Sequence, residues 1–366
     1  MKIECVKEKL SKALVKAEKM TSKQSTLPVL SCVLLKAEGS TLSISSTNLD
    51  LGLDITLPVK VLEEGIVAVP GAILSSFIGS IFNDKNVTLE TDGTNLKVST
   101  EHTKTAIKTF PSEDFPSIPK LADSLSFTMP IQDFIKGLKS VAYASSQSTI
   151  KPTLASVYIY PDEEFVVFVA TDSFRLAEKK IKVKKHKDFS SILIPFKNIP
   201  EIIKTFEDIH EEVNISFNQN QISFEYEGIY LVSRVVDGSF PDYKNIIPKE
   251  IKTEVSILKQ DIVNALKISN IFSDKFSQIY VTASATEKYF EVKTKNLDIG
   301  ENANNIDAVI KGNDITVSFN YKYINDCFQS IDSDSLTLTF VDQSKPMVIK
   351  GSSDSSYLYL VMPMNK

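Results

Sequence analysis

The amino-acid sequence repeats itself with a period of about 125 residues. Apolar side chains at helical spacing recur three times. Leu10, Phe134 and Ile262 occupy the same place in the three patterns, 124 and 128 residues apart. The corresponding predicted helices run over about Cys5–Lys19, from near Pro130 and from near Leu258. A chain with such a repeat is expected to fold as copies of one unit.

A second set of predicted helices opens at Pro70, Pro195 and Asn320, with 125 residues between successive members. Proline suits a helix start because its missing N–H is not needed there. Alternating apolar and polar residues predict strands at nearly the same period. These strands are Val87–Glu90, Val213–Ser216 and Leu336–Thr339. Three independent features that share one period indicate three copies of one unit.

We therefore expect three similar domains, 1–124, 125–250 and 251–366, with proline-bearing linkers at 116–119 and 241–248. Each unit combines two helices with many short strands. This combination predicts an α+β fold in which the two helices pack on one face of antiparallel sheets. With 42% hydrophobic and 24% charged residues, the composition is that of an ordinary globular protein.

Charge and cysteine content narrow the function classes. The formal net charge of −5 excludes a uniformly basic nucleic-acid binder but leaves room for a local basic face. Cys5, Cys32 and Cys327 lie far apart, which argues against a disulfide framework or a cysteine zinc site and favours a reducing compartment. The charged first residues predict no signal peptide, and the apolar runs are too short to span a bilayer, so no membrane partner is expected.

No catalytic constellation stands out in the sequence. His102, His186 and His210 lack metal-ligand spacing, and neither a glycine-rich phosphate loop nor a nucleophile elbow occurs. We expect a non-catalytic protein with no metal and no cofactor. An enzyme centred on Asp172 and Arg175 stays an alternative, although the sequence places no convincing base or nucleophile beside them.

Lysines form a stripe along the first predicted helix. Lys9, Lys12, Lys16, Lys19 and Lys23 follow one another at three- and four-residue spacing, and the later helices add lysines of their own. The stripe is either an ordinary solvent-exposed face or a surface for a polyanion, because lysine–phosphate contacts need no base sequence. Arginine is rare by contrast, with two residues against 39 lysines. Because a planar guanidinium makes contacts that an ammonium group cannot, each arginine is a stronger candidate for a specific role than a lysine.

The C-terminal residues are unusually apolar. Tyr357–Val361 is predicted to form a final strand, and Met362, Pro363 and Met364 follow it directly. Methionine is adaptable and favoured on surfaces that accept several partners. A plain core strand is the alternative interpretation of this segment.

Five segments of the chain form a recognisable series, namely Thr26–Leu30, Thr47–Asp50, Ala170–Ala177, Gly238–Tyr243 and Val361–Met364. In these segments and their order the chain resembles, over its whole length, the bacterial β sliding clamps, the processivity subunits of DNA polymerase III. The resemblance implies the DNA-clamp fold and a head-to-tail dimeric ring with pseudo-sixfold symmetry. Helices would line the hole and hold encircled duplex DNA through its phosphates, in the cytoplasm at the nucleoid.

The resemblance also implies two sets of site residues. Duplex DNA would be contacted by Lys12, Lys23, Gln24, Lys136, Ser148, Lys151 and Lys197. A partner peptide with a glutamine and bulky apolar residues would bind a pocket between the second and third domains. This pocket would contain Leu154, Thr171, Ser173, Phe174, Arg175, Leu176, Pro241, Ile246, Tyr323, Pro346, Leu360, Val361, Met362, Pro363 and Met364. Such peptides would come from the catalytic subunit of the replicative polymerase, the clamp loader, other DNA polymerases, ligase and mismatch-repair proteins.

The resemblance gives the pocket residues different roles. Apolar peptide side chains would be accepted by Leu176, Ile246, Leu360 and Met362, and Pro363 and Met364 would gate the polar end of the peptide. Arg175 would use its stem as a wall and its head for backbone carbonyls. Core packing is the alternative for Leu154, Leu176 and Ile246. Ser173-Phe174 replaces the Gly-His or Gly-Tyr of many clamps, so the backbone freedom of glycine is lost and the local turn is open to change.

A three-repeat, β-rich binding or adhesion protein is the remaining alternative from another class. A surface or carbohydrate-binding protein of this kind would carry a signal peptide and exposed aromatic residues, usually tryptophan. The sequence contains no tryptophan. The clamp interpretation is therefore favoured over this one.

Overall fold

The computed structural model describes residues 1–22, 27–121, 124–183 and 189–364. The chain forms two compact units. Unit 1 consists of Met1–Gln132 and Lys197–Val235, and unit 2 contains the other described residues. Over the described ranges, no helix has the length and apolar character that crossing a membrane requires.

Each repeat contributes two of the α-helices found in the described ranges. They are α1 (Lys7–Lys19), α2 (Gly71–Gly79), α3 (Ile131–Val141), α4 (Ile199–Phe206), α5 (Lys259–Ile271) and α6 (Tyr321–Asp326). Short 3-10 helices cover Pro28–Ser31, Ala142–Ala144, Phe196–Asn198, Tyr243–Asn245 and Cys327–Ser330. Two helices in each repeat agree with the prediction from the periodic apolar pattern.

Strands make up most of the remaining structure. The first repeat holds β1 (Lys2–Val6), β2 (Cys32–Glu38), β3 (Thr41–Thr47), β4 (Leu51–Pro58), β5 (Lys60–Glu63), β6 (Gly65–Pro70), β7 (Asn86–Asp92), β8 (Asn95–Ser99) and β9 (Lys104–Lys108). The second holds β10 (Leu125–Pro130), β11 (Ser156–Asp162), β12 (Phe165–Thr171), β13 (Arg175–Lys182), β14 (Ile192–Pro195), β15 (Glu212–Phe217), β16 (Gln221–Tyr226) and β17 (Ile229–Arg234). The third holds β18 (Thr253–Leu258), β19 (Gln278–Ser284), β20 (Tyr289–Asn296), β21 (Gly300–Ile306), β22 (Ala308–Gly312), β23 (Ile315–Asn320), β24 (Ser335–Phe340), β25 (Met347–Gly351) and β26 (Asp354–Val361).

Two of the antiparallel sheets run from one repeat into the next. In unit 1, β17 of the second repeat pairs with β4 of the first, within the order β10-β15-β16-β17-β4-β3-β2-β6. In unit 2, β26 of the third repeat pairs with β13 of the second, within the order β14-β11-β12-β13-β26-β25-β24-β18-β22. The second repeat therefore gives one half of its strands to each unit.

Two further antiparallel sheets stay within single repeats. The first repeat forms the order β5-β1-β7-β8-β9, and the third repeat forms the order β21-β20-β19-β23. In these two sheets β9 and β21 are edge strands. An edge strand leaves one row of backbone N–H and C=O groups without a strand partner.

The predicted start of the first helix at Cys5 is wrong. Cys5 lies in β1 opposite Val87, and α1 begins at Lys7. The residues of β1 alternate between half-buried and buried positions up to the exposed Val6, so the strand period prevails over the helical one here. Val6 is the extended N-cap residue that joins the strand directly to the helix.

The predicted helix opening at Pro195 is also displaced. Pro195 ends β14 opposite Ser156, and a 3-10 turn separates it from α4, which begins at Ile199. Pro70 likewise ends β6, but there α2 follows at once. α6 opens at Asn320 as predicted, and the structure adds that Asn320 is the N-cap, whose side chain accepts the backbone N–H of Lys322.

One backbone hydrogen bond recurs in all three repeats. The N–H groups of Phe110, Val236 and Met364 donate to the carbonyl oxygens of Ala68, Leu193 and Ser318 at 2.9, 2.9 and 2.8 Å. The three acceptors lie 125 residues apart. Each bond fixes the chain just after the last strand of its repeat. The C-terminal residues thus occupy the place that the residues just before the linkers take in the first two repeats.

The helices pack on the sheets through the predicted apolar positions. In unit 2, the ring of Phe134 on α3 meets Phe168 on β12 edge to face, with 5.3 Å between ring centroids. Both rings are almost fully buried. Gly137 lies one turn further along α3, where an added Cβ would stand 2.4 Å from the Phe168 ring. The helix can therefore approach the sheet closely only because residue 137 has no side chain.

Candidate functional site

The turn between β12 and β13 is fixed by its own side chains. Thr171 Oγ1 accepts the N–H of Ser173 at 3.1 Å and donates to the carbonyl of Arg175 at 2.7 Å. Asp172 Oδ1 accepts the N–H groups of Phe174 and Arg175 at 2.9 and 3.0 Å. These local bonds are typical of turns built on Asp and Thr. They hold Phe174 at the surface, where 59% of it is exposed.

Ser173 has a φ of +79°, in the left-handed region that glycine would normally supply. The same turn occurs in the first repeat, where Leu49 has a φ of +74° and Thr47 and Asn48 make the matching hydrogen bonds. A left-handed non-glycine residue costs roughly 1–2 kcal/mol. The side-chain bonds offset this cost, and both turns take the same form without glycine.

Arg175 anchors the turn to two distant segments. Its Nε donates to Asp172 Oδ2 at 3.0 Å, its Nη1 to Asp326 Oδ2 at 2.5 Å and its Nη2 to the Tyr143 carbonyl at 2.7 Å. Its side chain is only 10% exposed, and its Cζ lies 4.7 Å from the centre of the Tyr323 ring. The guanidinium is engaged by the chain's own acceptors, whereas the sequence led us to expect it to serve a peptide backbone.

Sequence reasoning did not find the partners of Arg175. Asp326 and Tyr143 lie 151 and 32 residues away along the chain. The rarity of arginine in the sequence singles out Arg175 as a candidate functional residue. It does not indicate which hydrogen-bond acceptors surround the guanidinium.

An aromatic pair covers this anchor. The ring of Phe174 stacks on Tyr323 of α6, with centroids 6.4 Å apart and planes at 19°. The carbonyl of Phe174 accepts the backbone N–H of Met362 at 2.8 Å. Met364 then bonds Ser318 through its N–H and its carbonyl oxygen. The turn, α6 and the C-terminal residues therefore meet at one surface of unit 2.

Beneath this surface lies a buried apolar cluster. Leu176 on β13 stands opposite Leu360 on β26, and the two are 3% and 2% exposed. Tyr243 and Val348 complete the cluster with Val167 and Val169. Two of the four side chains expected to receive apolar peptide residues, Leu176 and Leu360, thus pack in the core, as in the alternative interpretation of Leu176.

The phenol of Tyr243 is tied to a buried carboxylate. The Tyr243 hydroxyl donates to Glu178 Oε2 at 2.5 Å. The hydroxyl groups of Tyr160 and Tyr243 form a second hydrogen bond at 2.7 Å. Burial and the neighbouring charge of Glu178 raise the pKa of Tyr243 well above its usual range, so the phenol stays a neutral donor. This network holds the segment after Phe240, whose ring stacks on Tyr158 with 4.8 Å between centroids.

All fifteen predicted pocket residues lie in unit 2, with different exposures. Exposed members are Ser173, Phe174, Pro241 and Ile246, and half-buried members are Arg175, Tyr323, Met362, Pro363 and Met364. Buried members are Leu154, Thr171, Leu176, Pro346, Leu360 and Val361. The contacts join the turn, Tyr323, Leu360 and the C-terminal residues directly. Leu154 instead bonds within its own loop, to Ser146 and Lys151.

Several predicted DNA-contacting lysines are exposed but paired with carboxylates. Lys12 on α1 contacts Glu8 at 3.0 Å. Two other pairs are Lys136–Asp332 at 2.8 Å and Lys197–Asp50 at 2.6 Å. Ser148 and Lys151 lie in an exposed loop, and Lys23 and Gln24 lie outside the described residues.

Lys16 differs from the other described lysines of the stripe, which are exposed. Its Nζ donates to the carbonyl of Thr205 at the end of α4 across 2.7 Å, beside a cavity of about 710 Å³ between α1 and α4. Burial lowers the pKa of Lys16 from its ordinary value. A cation suits this position because the C-terminus of a helix carries partial negative charge. Lys16 therefore joins two helices instead of facing solvent freely.

The fold is that of the DNA-clamp class. The crystal structure of the DNA polymerase III subunit beta from Pseudomonas aeruginosa superposes with a TM-score of 0.94 at 24% identity over 100% of both chains. The sliding clamp from Bacillus subtilis gives 0.94 at 22% identity over 100% of this chain and 99% of that one. The beta sliding clamp of Staphylococcus aureus strain Mu50 is 24% identical over 356 residues, 94% of each chain.

Three family models cover nearly the whole sequence in order. They describe the N-terminal, central and C-terminal domains of the DNA polymerase III beta subunit and match residues 1–119, 128–242 and 244–365. The chain belongs to the DNA polymerase III beta subunit family, a family of DNA replication subunits that are not enzymes. This membership confirms the predicted three-domain α+β clamp fold and the non-catalytic prediction, and it sets aside the adhesion alternative.

Proposed function

We propose that this sliding clamp encircles duplex DNA as a head-to-tail dimer and tethers the replicative polymerase through the surface around Phe174. The repeated sheet pairing between neighbouring repeats is the observation that supports the proposed ring. β4 pairs with β17, and β13 pairs with β26 in the same antiparallel way. In the third repeat β21 holds the place of β4 and β13, and in the first repeat β9 holds the place of β17 and β26. By this equivalence, β21 and β9 are the strands left to pair between two copies.

Charge and exposure support this pairing. β9 carries Lys104 and Lys108, whereas β21 carries Glu301. Apolar residues beside β21 are unusually exposed, with Leu297 at 92% and Ile299 at 60%. Exposed apolar residues next to a free strand edge favour burial in an interface. Two identical heterologous contacts of this kind close a two-membered ring.

The oligomeric state tests this interface. The wild type should sediment as a dimer, and the double variant Leu297→Asp with Ile299→Asp should sediment as a monomer. Ile150→Asp is the matched control, because Ile150 is 88% exposed but lies far from β21 in sequence. A dimer that survives the double substitution at micromolar concentration would exclude β21 from the interface.

Retention on DNA tests encirclement. We expect the clamp, loaded by a compatible clamp loader onto nicked circular DNA, to stay bound during gel filtration and to slide off once the circle is linearised. A topological link requires this difference, whereas ordinary phosphate binding predicts equal retention. Equal retention on circular and linear DNA would therefore contradict the ring.

The partner site is proposed to lie where the β12–β13 turn, Tyr323 and Met362 meet. A short peptide with a glutamine and bulky apolar residues would pack on the exposed Phe174 ring and on Ile246. The catalytic subunit of the replicative polymerase and the clamp loader are the first expected partners, and other polymerases, ligase and mismatch-repair proteins would compete for the same surface. Such a clamp would act in the cytoplasm at the nucleoid.

Fluorescence polarisation tests this site. A labelled peptide of this composition should bind the wild type and be displaced by the unlabelled peptide. The double variant Phe174→Ala with Met362→Ala should bind it more weakly. The control Phe82→Ala removes a ring outside unit 2 that is even more exposed, 81% against 59% for Phe174, and should bind normally. Equal affinity for the test and control variants would remove this surface as the peptide site.

A further inference from the structure

Three of the lysines proposed to contact DNA hold a carboxylate at ion-pair distance. Lys12 pairs with Glu8 one helical turn away, whereas Lys136 and Lys197 pair with acids far along the chain. These lysine side chains are 75%, 51% and 63% exposed. Among the described residues, Lys151 has no carboxylate partner at such a distance, so pairing is not a general property of the set.

The two long-range pairs join neighbouring repeats. Lys197 of the second repeat contacts Asp50 of the first within unit 1. Lys136 of the second repeat contacts Asp332 of the third within unit 2. The same kind of pair therefore occurs at both intrachain junctions.

The backbone holds Asp50 in place, and Asp332 is oriented by its bond to Lys136. Asp50 lies in the turn that repeats the Thr171–Arg175 geometry, where its N–H donates to Asn48 and its carbonyl accepts from Arg234. Asp332 follows the 3-10 helix Cys327–Ser330, and the hydrogen bond from Lys136 lowers the pKa of its carboxyl group. Each carboxylate therefore stands beside a lysine that a phosphate could use.

We propose that Asp332 and Asp50 compete with DNA phosphates for Lys136 and Lys197 and so keep the DNA affinity of the clamp low. The inference rests on the proposed contact of these lysines with DNA. Exposed ion pairs are weak, so a passing phosphate can take the lysine and the carboxylate can take it back. A clamp that stays on DNA because it encircles the duplex would slide more easily with such exchange, because no single phosphate contact is held strongly.

Neutralising the acids tests the proposal. Asp332→Asn and Asp50→Asn keep a hydrogen-bond acceptor beside each lysine but remove the competing charge. Each variant should bind a short linear duplex roughly two- to fivefold more tightly at low salt, because an exposed pair is worth about that factor. The affinity of the double variant should also fall more steeply with salt concentration, since more lysines neutralise phosphates.

The control removes the same charge from pairs elsewhere. Asp92→Asn with Glu164→Gln opens the exposed pairs Asp92–Lys97 and Glu164–Lys182 and changes the net charge by the same two units as the test double variant. We expect this control to bind the duplex nearly as the wild type does. If the test and control variants gain affinity equally, general charge explains the effect and the proposal is wrong.

A lysine variant distinguishes the competition by the carboxylates from the lysine–DNA contact on which it depends. Lys136→Ala with Lys197→Ala should weaken duplex binding if these residues contact DNA. Loss of affinity here, with no gain in the asparagine variants, would overturn competition but keep the proposed DNA contact. Unchanged affinity in the lysine variant would overturn both. Circular dichroism and sedimentation of every variant establish that fold and dimer are retained.

Discussion

The backbone N–H of Met362 donates to the carbonyl of Phe174 across 2.8 Å. Arg234 donates to Asp50 across 2.9 Å in the same way. Phe174 and Asp50 hold the same place in two equivalent turns, and Met362 and Arg234 each come at the end of the strand that pairs with the neighbouring repeat. The C-terminal residues therefore extend one arrangement that the protein uses at both intrachain junctions.

The side chains at this equivalent position of the two turns differ chemically. At the first, the Asp50 carboxylate contacts the Lys197 ammonium group at 2.6 Å. At the second, the Phe174 ring stacks on Tyr323. One backbone arrangement thus carries an ion pair in unit 1 and an exposed aromatic pair in unit 2. An apolar partner peptide suits only the second.

Removal of the residues from Met362 onward should abolish peptide binding and leave the dimer intact. The deletion takes away the bonds to Phe174 and Ser318 but leaves β26, β9 and β21 whole. Peptide affinity should fall roughly tenfold or more, as expected for loss of a central contact. Fluorescence polarisation measures the affinity and sedimentation the dimer. An unchanged titration curve would rule out the C-terminal residues as part of the site.

Phe174→Ala should weaken peptide binding by about three- to tenfold, because an aromatic contact contributes about 0.5–1.5 kcal/mol beyond its buried area. Phe174→Tyr keeps the ring and should bind within a factor of about two. The contacts of the turn are made by Thr171 and Asp172, so neither change should alter the fold. Equal losses in both variants would show that the ring itself is not what the peptide touches.

The repeating elements were predictable from the sequence because each has its own period. Strand alternation at Val213–Ser216 and helical spacing around Phe134 both match the observed elements. Strand partners were not predictable in this way. The pairing of β4 with β17 joins residues nearly 180 positions apart, and no local pattern specifies which strand completes a sheet.

The candidate site was predicted through family motifs more than through local chemistry. The motif marks Arg175, but its acceptors Asp326 and Tyr143 become neighbours only in the folded chain. The turn at Ser173 shows the limit of residue preferences. Preference alone assigns the left-handed conformation to glycine, yet side-chain hydrogen bonds from Thr171 and Asp172 hold a serine there.

Arg175→Lys should lower the free energy of unfolding by about 2–4 kcal/mol, because a lysine cannot replace three divergent N–H donors and leaves Asp172 without its partner. Arg234→Lys is the matched control. The side chain of Arg234 is exposed, and its change should stay within about 0.5 kcal/mol. Denaturant unfolding followed by circular dichroism measures both. A stable Arg175→Lys variant would contradict the anchoring role.

His102 should titrate above its ordinary pKa of 6.5, because its Nδ1 is hydrogen-bonded to Asp84 at 2.8 Å and the carboxylate favours the protonated ring. A raised pKa means that the pair stabilises the fold fully below about pH 6.5 and that this contribution is lost as pH rises through the raised value. Proton NMR of the imidazole measures the titration. Asp84→Asn should bring the pKa down, and an identical titration in that variant would contradict the pairing.

Gly137→Ala should destabilise the protein by about 1–3 kcal/mol, because overpacking a filled core forces rings and backbone to shift. The new Cβ would stand 2.4 Å from the Phe168 ring, which is fully buried between α3 and its sheet. Gly79→Ala is the control, since Gly79 also lies in a helix but has no atom within 4 Å of an added Cβ. That change should be neutral or stabilise by up to about 1 kcal/mol through helix propensity. Thermal unfolding measures both variants. Similar unfolding midpoints would mean that the packing of α3 on its sheet does not require a glycine at residue 137.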